Sequence, residues 1–107
     1  MTINLKIMGL IGLCSRARKI VFGTDACVEQ IIKNSIKLVV VAKDASERTI
    51  RKIKEICEEN KIPFYNILSI QEISKAIGKE NKAVIGVKDK NIADEIIKII
   101  NGGEIIG

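Results

Sequence analysis

The sequence predicts an α/β fold, a three-layer α/β/α sandwich around a mixed sheet of about four strands. Residues 38–42, LVVVA, form an uninterrupted and largely β-branched apolar run, which is typical of a strand covered on both faces. Shorter apolar runs alternate along the chain with segments whose apolar residues recur at helical spacing. A strand that is buried on both faces needs helices on both sides of its sheet.

The other elements follow from spacing and from residues that begin or end helices. Ile3, Ile7, Ile11 and Cys14 recur at helical spacing and predict the first helix. Further strands are predicted at residues 20–22, 64–67 and 83–87. A second helix is predicted at residues 26–34, and a last helix runs through Ile92, Ile96 and Ile100 to Gly102-Gly103. Two capping boxes, 44–47 and 69–72, open two more helices, the second of which ends at Gly78.

Composition limits the kind of partner. The chain has 107 residues, enough for one domain over 1–107, and carries 18 Lys and Arg against 13 Asp and Glu. A net charge of +5 favours a polyanionic partner. Phe22, Phe64 and Tyr65 are too few aromatic residues for the platforms on which unpaired bases stack. A bound nucleic acid is therefore expected to be a folded or double-stranded shape.

The sequence offers little for catalysis. It contains no histidine, no G-x-G-x-x-G and no G-x-x-x-x-G-K-[ST] motif, so we predict a non-enzymatic protein with no cofactor and no metal. Cys14, Cys27 and Cys57 show no C-x-x-C spacing and are interpreted as reduced core thiols of a cytoplasmic protein. A magnesium pocket at Asp44 and Asp89, each of which follows a strand, remains an alternative.

Gly23-Thr24-Asp25 joins a strand to a helix and allows two interpretations. In the structural one, glycine permits an unusual backbone, threonine caps the helix and aspartate interacts favourably with the helix dipole. In the functional one, the unpaired N–H groups of the helix start meet a phosphate or a base edge. Arg16, Arg18 and Lys19, just upstream, would then neutralise phosphates, and Asp25 would accept hydrogen bonds from a guanine.

Four stretches together resemble a known family. They are G-L-x-x-R-A-x-K at residues 12–19, Gly23-Thr24, residues 38–46 and residues 73–78. This combination resembles the kink-turn RNA-binding family of ribosomal proteins L7Ae and L30e, and within it the small bacterial YlxQ-type members. The resemblance covers nearly the whole chain. It implies an α/β/α sandwich that binds kink-turns, which are sharply bent RNA helices containing tandem sheared G·A pairs.

The resemblance also implies where RNA would lie. The helix start falls on residues 23–26, with a further contact at Glu29, a strand exit at Lys43-Asp44 and a second loop at residues 78–83. The predicted RNA-binding residues are Arg16, Arg18, Lys19, Gly23, Thr24, Asp25, Glu29, Lys43, Gly78, Lys79, Lys82 and Ala83. The cations would hold phosphates, while Gly78 and Ala83 would let the loop approach closely.

Two departures from the family pattern stand out. Archaeal and eukaryotic members resemble G-T-N-E followed by a lysine, where this chain has Asp25, Ala26 and Glu29. Their second loop is largely apolar, whereas residues 79–82 here read KENK. We expect the partner to be structured RNA, either a kink-turn or ribosomal RNA, with association to the ribosome and no membrane contact. The alternative is a protein-interaction scaffold of the same fold that binds no RNA.

Overall fold

The computed structural model describes residues 2–102, in which five helices and four strands alternate. The helices are α1 (Ile3–Arg16), α2 (Thr24–Ile32), α3 (Glu47–Glu59), α4 (Ile70–Ile77) and α5 (Lys90–Ile100). The strands are β1 (Ile20–Phe22), β2 (Leu38–Val41), β3 (Phe64–Asn66) and β4 (Val84–Val87). The predicted α/β class and order of elements are confirmed. Gly102 follows α5, whereas Gly103 lies outside the described residues.

The sheet is mixed, and its strand order is β1-β4-β2-β3. β4 runs antiparallel to both β1 and β2, while β3 runs parallel to β2. β1, β2 and β3 finish at the same end of the sheet, where β4 begins. We call this end the top of the sheet and the other end the bottom. Because of this strand order, α2, α3 and α4 all begin at the top, whereas α1 ends and α5 begins at the bottom.

The core lies in two layers, one on each face of the sheet. Alternate residues of β2 point to opposite faces, as the pleat of a strand requires. Leu38 and Val40 pack with buried residues of α1, α4 and α5 on one face. Val39 and Val41 pack with buried residues of α2 and α3 on the other. All of β2 is therefore buried, which confirms the prediction of a strand covered on both sides.

Hydrogen bonds at the helix starts correct one prediction and confirm another. Ser69 and Glu72 form the predicted capping box of α4, with Ser69 Oγ accepting from the Glu72 N–H at 3.0 Å. The cap of α3 is Ser46, whose Oγ accepts from the Thr49 N–H at 3.1 Å. Asp44, predicted to open α3, instead accepts from the N–H of Ile70 at 2.8 Å and so serves α4.

The magnesium alternative for Asp44 and Asp89 is wrong. Asp44 follows β2 at the top of the sheet, whereas Asp89 follows β4 at the bottom, because the two strands are antiparallel. Asp89 also caps α5 by accepting from the Ile92 N–H at 2.9 Å. Among residues 2–102, no group of three or more His, Cys, Asp or Glu side chains is placed to hold a metal ion.

The cysteines belong to the core, as predicted. Cys14, Cys27 and Cys57 are buried free thiols. Burial raises the pKa of Cys27 to about 12 and that of Cys57 to about 11, because the interior disfavours the thiolate.

None of the helices in the described part of the chain has the length and apolar character needed to cross a membrane.

Candidate nucleic-acid interface

The start of α2 exposes backbone donors that no side chain caps. Gly23 occupies the N-cap position with φ 92° and ψ 151°, and Thr24 is the first helical residue, so the predicted threonine cap is wrong. The first helical hydrogen bond runs from the Cys27 N–H to the Gly23 carbonyl at 3.0 Å. Within residues 2–102, no acceptor faces the N–H groups of Thr24, Asp25 and Ala26. They therefore concentrate partial positive charge at this point of the surface.

Hydrogen bonds between strands hold this helix start at the top of the sheet. The Gly23 N–H donates to the Val84 carbonyl at 2.9 Å, and the Ala42 N–H donates to the Ala83 carbonyl at 2.8 Å. The end of β1, the end of β2 and the start of β4 are thereby fixed side by side. Lys43 follows directly, with its backbone N–H bonded to the Leu68 carbonyl at 2.8 Å and its side chain exposed.

A second segment, the loop of residues 78–83, reaches the same place. It starts at Gly78, which adopts the left-handed conformation predicted for a C-cap, with φ 70° and ψ 33°. Its end is fixed by Ser74, a buried residue of α4. The Ser74 hydroxyl accepts from the Lys82 N–H at 2.8 Å and donates to the Lys82 carbonyl at 3.3 Å. The backbone of Lys82 is thus anchored, while part of its side chain reaches solvent.

Phe22 joins the loop to the start of α2. Its ring lies 5.1 Å from Lys82 Nζ and 5.4 Å from Lys79 Nζ, both within the range of a cation–π contact. Because Phe22 directly precedes Gly23, these contacts bring two ammonium groups beside the uncapped helix start. Sequence reasoning missed this role of Phe22. The only signal was an aromatic residue immediately before the Gly23-Thr24 junction.

The structure therefore divides the twelve predicted RNA-binding residues by location. Those at the top of the sheet are Gly23, Thr24, Asp25, Lys43, Gly78, Lys79, Lys82 and Ala83. Glu29 lies one turn further along α2, where its carboxylate pairs with Lys33 Nζ at 3.1 Å and both side chains are 62% exposed. The pair offsets the acidic charge that this position would otherwise present to an anion.

Arg16, Arg18 and Lys19 are not brought to the start of α2. They are exposed and precede β1, and the Lys19 carbonyl accepts from the Lys88 N–H at 2.8 Å at the bottom of the sheet. β1 separates them from Gly23 by about 10 Å, since a strand rises about 3.3 Å per residue. The prediction that they flank the Gly23-Thr24-Asp25 junction is therefore not supported by the fold.

Comparison with known proteins identifies the family. A model of the ribosomal protein L7Ae/L30e/S12e/Gadd45 family matches residues 6–97. The chain belongs to this family. The resemblance seen in the sequence is thereby confirmed, and the family description names ribosomal proteins rather than enzymes.

Individual proteins are also similar to this chain over most of their length. The RNA-binding protein YlxQ of Bacillus subtilis (strain 168) is 35% identical over 92 residues, which are 86% of this chain and 92% of the relative. The RNA-binding protein YlxQ of Enterococcus faecium is 37% identical over 97 residues, which are 91% and 93% of the two chains. A solved structure described as a protein with unknown function from Bacillus halodurans C is 31% identical, with a TM-score of 0.87, covering 90% of this chain and 97% of that one.

Proposed function

We propose that this protein is a non-catalytic RNA-binding protein that recognises structured, kink-turn-like RNA in association with the ribosome. The observation that carries the proposal is the position of Lys79 and Lys82 on the Phe22 ring, next to the uncapped start of α2. The two ammonium groups and the free N–H groups of the helix start together suit an anionic ligand that also offers base edges. The membership in a ribosomal protein family and the two relatives named RNA-binding proteins support RNA as that ligand.

Each group at the top of the sheet has a distinct task in this proposal. The N–H groups of residues 24–26 donate to phosphate oxygens or base acceptors, and Gly23 offers no side chain that would keep the RNA away. The exposed Asp25 carboxylate accepts from the amino and imino groups of a guanine. Lys43, Lys79 and Lys82 hold the phosphates around it. Asp25 repels phosphate, so its contact must be to a base.

The need for base contact explains the preference for bent RNA. In a regular RNA duplex the major groove is too deep and narrow for side chains to read the bases. A sharp bend opens a groove and exposes the guanine edges of non-Watson–Crick pairs. The start of α2 and the loop of residues 78–83 are fixed to one frame, so they suit a rigid, distorted RNA surface better than a flexible single strand.

A binding titration tests this function. The protein is titrated against a kink-turn RNA and against the same RNA whose G·A pairs are replaced by Watson–Crick pairs. We expect tighter binding to the bent form and loss of that preference in the double variant Thr24→Ala, Asp25→Ala, which removes the Thr24 hydroxyl and the Asp25 carboxylate offered to the RNA. Each phosphate contact should steepen the dependence of log affinity on log salt by about 0.7–0.9. Equal, weak binding to both RNAs would contradict recognition of the bend.

A second candidate, a protein-interaction scaffold, is favoured by one feature of α1. Leu5 and Leu13 are 54% and 50% exposed, and Gly9 lies exposed between them one helical turn from each. Such an apolar stripe suits contact with another helix. A scaffold would have a molar mass in solution above that of the monomer and would retain no RNA on purification. The double variant Leu5→Gln, Leu13→Gln should reduce that molar mass.

A further inference from the structure

The charged side chains of α3 are divided between the two halves of the helix. Residues 47–54 contain four cations and one acid, and residues 55–59 contain three acids and no cation. The cations are Arg48, Arg51, Lys52 and Lys54, all exposed. The positive end of the helix dipole lies at the N-terminus, so isolated helices favour the reverse distribution. Helix stability therefore does not account for this placement.

Within the described residues 2–102, the cations of α3 also lack partners. Arg48 and Lys52 stand four residues apart, a spacing at which like charges repel on a helix surface. Glu47 and Glu55 are each four residues from Arg51, yet none of the ion pairs or side-chain hydrogen bonds within residues 2–102 involves these cations. Arg48, Arg51 and Lys52 instead line a shallow hollow of ≈ 400 Å³ with those two acids. Their charge is available to an external anion.

The cationic half of α3 is at the same end of the sheet as the start of α2. α3 begins just after β2 finishes, and Lys43 lies in the connection between them. Cys27 of α2 and Ile53 of α3 belong to one buried cluster, so the two helices pack side by side on one face. A ligand held at the start of α2 therefore lies at the same end of the sheet as the cationic half of α3, and on the same face.

We propose that the cationic half of α3 is a second phosphate-contact surface, which holds a double-helical arm of the RNA bound at the start of α2. The inference rests on the proposed function. α3 has no aromatic residue with which to stack a base. Long cationic side chains on a helix surface suit the sequence-independent contacts that position a duplex by its backbone. The α3 surface would thus add affinity and orientation, while recognition of the bend stays with α2 and the loop of residues 78–83.

The test uses two kink-turn RNAs, one with arms cut to the minimum that keeps the bend and one with both arms lengthened by a helical turn. The variant is Arg51→Gln with Lys52→Gln. The control, Lys37→Gln with Lys88→Gln, removes the same charge from exposed positions at the bottom of the sheet. Thermal unfolding of both variants checks that they fold.

We expect the unsubstituted protein to bind the long-armed RNA more tightly and with a steeper salt dependence. The α3 variant should lose this difference, its log–log slope on the long-armed RNA becoming shallower by about 1.4–1.8, while the control retains it. If the α3 variant keeps the arm-length preference, or if the unsubstituted protein binds both RNAs equally, the inference fails and the proposed function stands. If the unsubstituted protein binds neither RNA, the proposed function fails and the inference with it.

Discussion

The carboxylate of Asp44 accepts a hydrogen bond from the backbone N–H of Ile70, 26 residues further along the chain, at 2.8 Å. Asp44 lies just beyond the end of β2, and Ile70 is the first residue of α4. The bond therefore fastens the start of α4 to the top of the sheet. Since α4 leads directly into the loop of residues 78–83, the same bond helps to place that loop beside the start of α2.

Replacing Asp44 tests this link. Asp44→Ala removes the acceptor from the helix start and should lower the free energy of unfolding by about 0.5–2 kcal/mol, the range found for lost N-terminal caps. Asp44→Asn keeps an acceptor oxygen and should lose less. Urea denaturation measures both. Asp94→Ala is the control, because Asp94 forms an exposed pair with Lys90 that should contribute less than about 1 kcal/mol. Equal losses at Asp44 and Asp94 would contradict the assigned role.

Two glycines with positive φ should respond differently to substitution. Gly23 combines φ 92° with ψ 151°, a region that is essentially restricted to glycine, so Gly23→Asn should cost about 1–3 kcal/mol. Gly78 is in the left-handed region, which asparagine tolerates, so Gly78→Asn should cost about 1 kcal/mol or less. Neither position is crowded, since an added Cβ meets nothing within 4 Å at either one. Thermal unfolding that ranks Gly78→Asn as the more damaging change would refute this account.

Phe22 should influence RNA binding indirectly, by positioning Lys79 and Lys82. Phe22→Leu keeps an apolar side chain but removes the ring that orders Lys79 and Lys82. An exposed cation–π contact contributes about 0.5–1 kcal/mol, so affinity for a kink-turn RNA should fall about 2- to 5-fold. Ile32→Ala is the matched control, because Ile32 is 67% exposed at the far end of α2. A binding titration in which both variants lose affinity equally would argue against a positioning role for Phe22.

The buried thiols should make stability depend on alkaline pH. Burial raises the pKa of Cys27 and Cys57 from the ordinary 9.0 to about 12 and about 11. The unfolded chain therefore releases these protons first as pH rises, and the stabilisation present below pH 9 declines up to the folded pKa values. Each thiol should remove about 1.4 kcal/mol per pH unit above about pH 9. Denaturant unfolding across this range measures the slope of the free energy of unfolding against pH. In Cys57→Ala this slope should be shallower by the contribution of that one thiol, about 1.4 kcal/mol per pH unit.

Local sequence patterns determined most of the elements and the layering of the core. The alternation of Leu38 and Val40 with Val39 and Val41 needs only the period of a strand, and the structure fills both faces as that pattern predicts. The capping box of Ser69 and the left-handed Gly78 likewise depend on residues within one or two turns. Such features can be predicted because the atoms that create them are close together along the chain.

The tertiary structure alone decided which of these elements meet. In sequence, Arg18 and Lys19 are nearer to Gly23 than Lys79 or Lys82 is, but the short strand β1 carries them to the opposite end of the sheet. Strand order and direction, which no local pattern encodes, bring Lys82 onto the Phe22 ring beside the start of α2. Contacts between residues distant in sequence depend on how the whole core packs. The sequence by itself therefore determined the helix start and the loop, whereas the fold determined which residues come together at the site.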